Sequence, residues 1–147
     1  PAGQAARAEM ARVTDSIAAL LGVLPQEIIY TSGASESNNL ALKGIVQASR
    51  HVGRHIVSTA LEHSSVGGAL SALQQQGCEI DLVDIRRDGT LDLEQLRGLL
   101  RKDTVLVAVC AVDSELGTVQ PIREIADIPA AFRQGRLPAR PRRQARR

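Results

Sequence analysis

The chain has 147 residues, 44% of them hydrophobic, which is enough for one domain with a buried core. Tyr30 and Phe132 are its only aromatic residues, so little is available for stacking on nucleic-acid bases, and no run of about 18 apolar residues could span a membrane. The formal net charge of +2 arises at the C-terminal end, where residues 133–147 hold seven arginines and no acid.

Without its C-terminal arginines the chain is mildly acidic, and its two cysteines are not arranged for a metal or a disulfide. Residues 1–132 carry 11 basic and 16 acidic side chains, a net charge of −5. Cys78 and Cys110 have neither disulfide nor metal-ligand spacing, so we expect no metal site and a reducing, cytoplasmic setting. The chain begins without Met and without the hydrophobic core of a signal peptide, so we expect it to start inside a longer one.

The N-terminal part predicts a helix, a strand and a second helix. Residues 4–21 place apolar side chains at helical spacing, and Gly22 follows as the predicted C-terminal cap. Residues 27–30, which are apolar after Glu27, predict a strand, and the pattern after it predicts a helix over about residues 36–50. Between them lies a turn of small and polar residues, 31–39 (TSGASESNN).

The turn over residues 31–39 carries the first functional hypothesis. A strand, a small-residue turn and a helix together aim backbone N–H groups and the positive end of a helix dipole at an anion. Gly33 lets an oxygen-rich group approach its backbone, and Ser35 either caps the helix or offers its hydroxyl to a ligand. We interpret the turn as a phosphate cradle, with an ordinary capped strand-to-helix turn as the alternative.

The middle of the chain alternates strands with helices. This alternation predicts an α/β fold with a mainly parallel sheet flanked by helices. The strand over 104–112 is apolar throughout, which predicts burial on both faces. The predicted strands are 55–59, 79–83 and 104–112, and the predicted helices are 66–76, 92–101 and one beginning at Pro121.

Polar stretches follow three of the predicted strands. Residues 62–65 and 113–115 follow the strands over 55–59 and 104–112, as the turn over 31–39 follows the first strand. Ligands of parallel sheets gather beyond the carboxyl ends of the strands. We therefore expect the cradle, a histidine and a polar, acidic loop to lie along one edge of the sheet.

The pattern changes at about Asp127. Residues 128–132 do not continue the predicted helix, and the remainder is rich in Arg and Pro without an apolar period, so we predict a disordered tail over 128–147. A mixture of Arg, Ala and Pro is typical of out-of-frame translation of GC-rich DNA. We interpret the tail as frameshifted or artificially extended, with a tail that binds nucleic acid or an anionic surface as the alternative.

Three separated stretches share the motifs of one known family. Residues 30–44 (YTSGASESNNLALKG) resemble a cofactor-phosphate motif, 62–66 (EHSSV) a Glu-His motif, and 115–122 (ELGTVQPI) the stretch Asn-Glu-Ile-Gly-Thr-Ile-Gln-Pro without its Asn. All three, in this order, resemble the cysteine desulfurases. These are class V aminotransferases with the fold type I architecture of enzymes that use pyridoxal 5′-phosphate (PLP). The resemblance covers about residues 3–127, and it implies that residues 1–127 are a partial large domain of that architecture.

The resemblance also implies roles for particular residues. Gly33, Ala34 and Ser35 stand where the family holds the PLP phosphate, through backbone N–H groups and a hydroxyl. His63 stands where a histidine stacks on the pyridine ring and helps to transfer protons. Ser114 occupies the position of an Asn whose amide reaches the ring oxygen, and it is shorter and lacks the amide.

Three further residues are expected to be structural. We expect Glu115 to accept backbone N–H groups and to have no catalytic role. Cys110 lies within a predicted strand and Cys78 directly before one, so we expect both to pack in the core. Neither cysteine aligns with the nucleophilic cysteine of the family.

Several parts of the family's machinery are not in this chain. After Asp127 there is no Asp for the pyridine nitrogen, no lysine in the position that attaches the cofactor, and no reactive cysteine; Lys43 and Lys102 occupy other positions. In the family, L-cysteine is converted to L-alanine, and its sulfur passes to an enzyme cysteine as a persulfide for iron–sulfur cluster assembly or other delivery. The sequence thus predicts a truncated or frameshifted fragment that is inactive alone.

The family resemblance implies partners and leaves alternatives open. It implies a homodimer, L-cysteine as the small-molecule substrate and proteins that accept sulfur, while we expect neither a membrane nor a nucleic acid as a partner. The alternatives are another class V PLP enzyme such as a selenocysteine lyase, a non-catalytic interaction module with a basic tail, and a gene remnant without independent function.

Overall fold

The computed structural model describes residues 2–134, which form two compact units with their boundary between Gly33 and Ala34. The elements of the first unit are α1 (Ala2–Leu21) and a 3-10 helix (Pro25–Glu27). Those of the second are α2 (Ala34–Ala48), β1 (His55–Thr59), α3 (Ser64–Gln75), β2 (Glu79–Val83), α4 (Leu93–Leu99), β3 (Thr104–Val107) and α5 (Ile122–Arg133).

The first unit confirms the predicted helix and corrects the predicted strand. Gly22 adopts φ +68° and ends α1, which lets the N–H of Val23 donate to the carbonyl of Ala18 at 3.0 Å. The strand predicted over 27–30 is wrong: Glu27 closes the 3-10 helix, and the next three residues pair with no described strand. Ile29 and Tyr30 are exposed, so no burial offsets the entropy of ordering an extended segment.

The second unit is built on a three-stranded parallel sheet. Its strand order is β2–β1–β3, so β1 pairs on both sides. Ile56 and Val57 are fully buried and point to opposite faces because side chains alternate along a strand. Each face has its own core. The Ile56 face packs against Leu42, Val46, Ala69, Leu70 and Leu73 of α2 and α3, and the Val57 face packs against Leu96, Leu99, Ile125 and Ile128 of α4 and α5.

This architecture confirms the predicted fold class. The sheet is parallel and flanked by helices, and the strands predicted over 55–59 and 79–83 have the observed bounds. Asp92 caps α4 as predicted, because its carboxylate accepts from the N–H groups of Glu94 at 2.9 Å and Gln95 at 3.1 Å. No helix in residues 2–134 has the length and apolar character needed to cross a membrane.

The third strand is shorter and less buried than its sequence predicts. It ends at Val107, its four residues are half-buried, and one further bond joins the N–H of Ala108 to the carbonyl of Val57 at 2.9 Å. Val107 pairs with Val57, and β1 ends two residues later at Thr59. The apolar run beyond residue 109 therefore has no strand alongside it, and the prediction of a buried strand through Val112 is wrong.

The last helix continues past Asp127, where the sequence predicts that the fold ends. It runs to Arg133 with Pro129 in its interior, although proline costs about 3 kcal/mol at such a position. Ile125 and Ile128 are buried and Phe132 packs against the same core, so apolar contacts offset that cost. Residues 128–133 are thus helical, and the remainder of the predicted tail, 135–147, lies outside the described residues.

Candidate functional site

One cavity of about 530 Å³, the edge cavity, lies beyond the carboxyl ends of β1 and β3. Its lining comes from the two segments that follow those strands, and this is the edge at which a parallel sheet binds ligands. Two of the three polar stretches singled out in the sequence meet here. The lining residues are Ala60, Leu61, Glu62, His63, Ser64, Cys110, Asp113, Ser114, Glu115 and Leu116.

Glu62 ties the two sides of the edge cavity together. Its Oε1 accepts from the hydroxyl of Thr59 at 2.8 Å and from the N–H of Cys110 at 2.9 Å. The first bond fixes the end of β1, and the second fixes the chain that leaves β3. Sequence reasoning placed Glu62 in a motif without a role. Its role as an anchor depends on a neighbour 48 residues away in the sequence.

His63 is the N-cap of α3 and lies at the mouth of the edge cavity. Its Nδ1 accepts from the N–H of Ser65 at 3.1 Å and lies 2.9 Å from the Ser65 hydroxyl oxygen. The imidazole is otherwise exposed. Capping by a ring nitrogen fixes the position of the ring while leaving its outer part accessible.

A hydrogen bond joins the beginning of α2 to the beginning of α3. The side-chain amide of Asn38 donates to the hydroxyl of Ser65 at 2.9 Å. Asn38 lies one helical turn after Ala34, the first residue of α2. The phosphate-motif helix is thereby connected through Ser65 to His63.

Ala34 and Ser35 are the first two residues of α2, and both are exposed. Ser35 lies inside the helix and does not cap it, because the helix begins at Ala34, about two residues earlier than predicted. Its carbonyl accepts from the side-chain amide of Asn39 at 2.9 Å. Neither Ala34 nor Ser35 lines the edge cavity.

Gly33 belongs to the first unit and is exposed at a bend. Its φ is not positive, so the backbone conformation does not require glycine there. A Cβ added at this position would meet no heavy atom within 4 Å. Neither the conformation nor the surroundings of this position therefore require glycine.

The turn that follows β3 is organised by Asp113, which the sequence analysis had assigned no structural role. One carboxylate oxygen of Asp113 accepts from the N–H groups of Glu115 at 3.0 Å and Leu116 at 2.6 Å. The expectation that Glu115 is the acceptor is wrong, since Glu115 contributes its own N–H and its side chain is exposed. Ser114 lies in this turn and is exposed at the edge cavity.

The two cysteines have different environments. Cys78 is buried in the core on the Ile56 face, as expected. Cys110 is half-buried and lines the edge cavity, where its thiol donates to the carbonyl of Val112 at 3.0 Å. The expectation that Cys110 packs within a strand is wrong, because β3 ends three residues before it.

The two lysines lie away from the edge cavity. Lys43 lines a different cavity of about 370 Å³ together with Arg50 and Arg54. Lys102 lies in the turn before β3. Among residues 2–134, no lysine lines the edge cavity, so the described site offers no amine for covalent attachment of a carbonyl compound.

Comparisons with known proteins agree with the fold and with the motifs. The family model described as Aminotransferase class-V matches residues 1–133. A cysteine desulfurase, IscS, of Anaeromyxobacter sp. (strain Fw109-5) is 43% identical over 128 residues, which is 87% of this chain and 30% of that protein. The chain therefore spans less than a third of this relative's length.

Solved structures are similar to this chain over most of its length. A structure described as SspA in complex with cysteine has a TM-score of 0.78 and 33% identity, covering 90% of this chain and 38% of that one. A mutant of C-DES with glycine covalently linked to its PLP cofactor has a TM-score of 0.72 and 22% identity, covering 86% and 33%, and it supports the fold alone. The family match and the shared fold agree: the chain belongs to the class V aminotransferase family, and over 128 residues it is similar to part of a cysteine desulfurase.

Proposed function

We propose that this chain is a cofactor-binding part of a PLP-dependent, cysteine desulfurase-like protein, and that it does not desulfurate cysteine by itself. The observation that carries the proposal is the bonded series Asn38–Ser65–His63. It connects the helix of the phosphate motif to the histidine at the edge cavity. A cofactor with a phosphate at one end and a flat ring at the other requires these two features to lie near each other, and the series holds them so.

The beginning of α2 suits the phosphate. The N–H groups of the first helical turn have no carbonyl partners within their own helix, and the helix dipole is positive there. Ala34 and Ser35 are exposed in this turn, and Ser35 adds a hydroxyl. Together they offer backbone N–H groups and a hydroxyl to a dianion, and Gly33 precedes them in the sequence motif.

His63 and Ser114 suit the ring. The His63 imidazole is flat and exposed, so it can cover one face of a pyridine ring, and the Ser114 hydroxyl can donate to a ring substituent. When bound, PLP supplies an electron sink for chemistry at an amino-acid carbon. The described residues fit non-covalent binding of this group and do not fit its attachment to lysine.

The remaining assignments follow the relatives. The whole protein would act on L-cysteine, form a homodimer and deliver sulfur to acceptor proteins, including those that build iron–sulfur clusters. This proposal is supported by the cysteine desulfurase relative and by the cysteine-bound structural neighbour. We place it in the cytoplasm, which the free thiols of Cys78 and Cys110 favour.

Binding of PLP to the 147-residue chain tests the proposal. Ser35→Ala should weaken PLP binding about tenfold or more, because a hydrogen bond to a charged group contributes about 1.5–3 kcal/mol. The same variant should bind pyridoxal, which has no phosphate, like the unmodified chain. His63→Ala should weaken binding of both compounds. Equilibrium dialysis measures the affinities of the unmodified chain and of both variants for each compound.

A matched serine provides the control. Ser71 lies on the exposed side of α3, so Ser71→Ala should leave both affinities unchanged. The proposal would be contradicted if Ser35→Ala bound PLP as tightly as the unmodified chain does. It would also be contradicted if the affinity for pyridoxal fell in parallel with that for PLP.

A further inference from the structure

The hydrogen bonds of His63 determine which ring nitrogen carries the proton. The backbone N–H of Ser65 lies 3.1 Å from Nδ1, and a backbone N–H can only donate. Nδ1 must therefore present its lone pair, which makes the imidazole neutral with its proton on Nε2. Nε2 has no hydrogen-bond partner among residues 2–134.

Asn38 directs a second hydrogen bond to the same nitrogen. The Ser65 hydroxyl oxygen lies 2.9 Å from Asn38 Nδ2 and 2.9 Å from His63 Nδ1. Because the Asn38 amide donates to this oxygen, the hydroxyl proton remains available for Nδ1. The two Ser65 donors thus converge on one lone pair, and Asn38 orients one of them.

We propose that Ser65, oriented by Asn38, is a positioning residue that holds His63 as its neutral Nε2–H tautomer. His63 then offers the edge cavity a hydrogen-bond donor and not a base. A proton on Nδ1 would point at the N–H of Ser65, so the Nδ1–H form and the backbone hydrogen bond exclude each other. The tautomer itself needs no cofactor, and only its role toward a bound ring rests on the proposed function.

In this tautomer His63 has no free nitrogen lone pair, so any proton abstraction at this site must be carried out by other groups. The titratable side chains that line the edge cavity with His63 are Glu62, Cys110, Asp113 and Glu115. Glu62 and Asp113 already accept two hydrogen bonds each from protein groups. A ligand oxygen or sulfur that accepts from Nε2 is the chemistry that His63 suits.

Nitrogen chemical shifts of the histidine rings test this proposal. Long-range proton–nitrogen correlation spectra of the full chain, labelled in histidine and free of added cofactor, would be recorded at about pH 8, where histidine is neutral. His63→Gln assigns the His63 signals among the three histidines. We expect His63 to carry its proton on Nε2.

Variants separate the contribution of each donor. Ser65→Ala should lower the ratio of the Nε2–H to the Nδ1–H tautomer about fivefold, the factor that one net hydrogen bond of about 1 kcal/mol represents. Asn38→Asp is nearly isosteric and should have the same effect, because its carboxylate takes the hydroxyl proton. Ser64→Ala, at the neighbouring position, should leave the ratio unchanged.

The outcomes distinguish this proposal from the proposed function. A proton on Nδ1 in the unmodified chain, or a ratio unchanged in both Ser65→Ala and Asn38→Asp, would overturn it. If Ser65→Ala does not fold, Asn38→Asp decides. Failure to bind PLP would contradict the proposed function and leave the tautomer assignment in place.

Discussion

His55 joins all three strands of the sheet through its ring. It is fully buried in β1, where its Nδ1 lies 2.7 Å from the hydroxyl of Thr104 in β3 and its Nε2 lies 3.3 Å from Asp81 in β2. Burial lowers the pKa of His55, and the guanidinium of Arg101 lowers it further, while Asp81 and Asp103 partly oppose this. The folded chain therefore favours the neutral ring.

Stability should depend on pH through this residue. In the unfolded chain His55 titrates near its ordinary pKa of about 6.5, so below that pH the unfolded state binds the proton more readily. The free energy of unfolding should be fully present above about pH 6.5 and fall as pH decreases, by at most about 1.4 kcal/mol per pH unit, until the lowered pKa is passed. Urea unfolding at several pH values from about 8 to about 5 measures this slope.

Two histidine variants identify the group responsible. His55→Gln should lower stability at neutral pH but flatten the pH slope, because glutamine does not titrate. His51 is exposed in the turn before β1, so His51→Gln should keep the slope of the unmodified chain. An unchanged slope in His55→Gln would show that other groups set the pH dependence.

At the scale of elements, α5 tests where the folded region ends. Ile128 is 2% exposed and lies in the core on the Val57 face, beyond the boundary predicted at Asp127. Ile128→Ala should lower the free energy of unfolding by about 2–5 kcal/mol, the range for truncating a buried aliphatic side chain. Arg123, exposed in the same helix, is the control, and Arg123→Ala should change stability by no more than about 0.5 kcal/mol.

Urea unfolding of these two variants shows whether the end of α5 packs against the core. If Ile128→Ala had as little effect as Arg123→Ala, residues after Asp127 would not pack against the core, and the disordered tail predicted over 128–147 would be the better description.

Elements that depend on local signals were predictable from the sequence. Gly22 and Gly77 adopt positive φ at the ends of α1 and α3, and Asp92 caps α4. These residues act on backbone groups within a few positions, so their effect is visible in a short window of sequence. The parallel sheet followed from the alternation of such windows.

The features that the sequence did not predict depend on residues that are far away along the chain. The only strand that β3 pairs with among the described residues, β1, extends just two residues past their last pair, and the apolar run through Val112 gave no sign of this. The placement of Cys110 at the edge cavity follows from that early end. Asp113 and Glu115 are equally plausible acceptors in sequence, and only the path of the turn makes Asp113 the acceptor.

For the site, the sequence motifs and the structure contribute different information. The motifs indicated His63 and Ser114 as site residues, and the structure places both at the edge cavity. The bonds that make His63 a donor come from Ser65 and Asn38, whose separation of 27 residues hides the contact. Hydrogen-bond direction requires coordinates, so it was beyond a reading of sequence.

At the scale of the whole molecule, the chain matches its family but only a part of its relatives' length. The family model matches it through residue 133, yet it spans only 30% of the length of the IscS relative. In the proposed function the beginning of α2 holds a phosphate and His63 covers a ring, while no lysine among residues 2–134 lines the edge cavity. We therefore expect the chain to bind PLP reversibly and not to turn over cysteine.

Sulfide release by the PLP-loaded chain tests whether the chain binds PLP without turning over cysteine. The 147-residue chain would be incubated with PLP and L-cysteine, with bound PLP measured by dialysis and sulfide measured in the same sample. We predict that PLP is bound and is removed by dialysis, and that no sulfide is released above the level given by free PLP. Cysteine-dependent sulfide release that exceeds this level and persists in the Lys43→Ala, Lys102→Ala double variant would contradict the account.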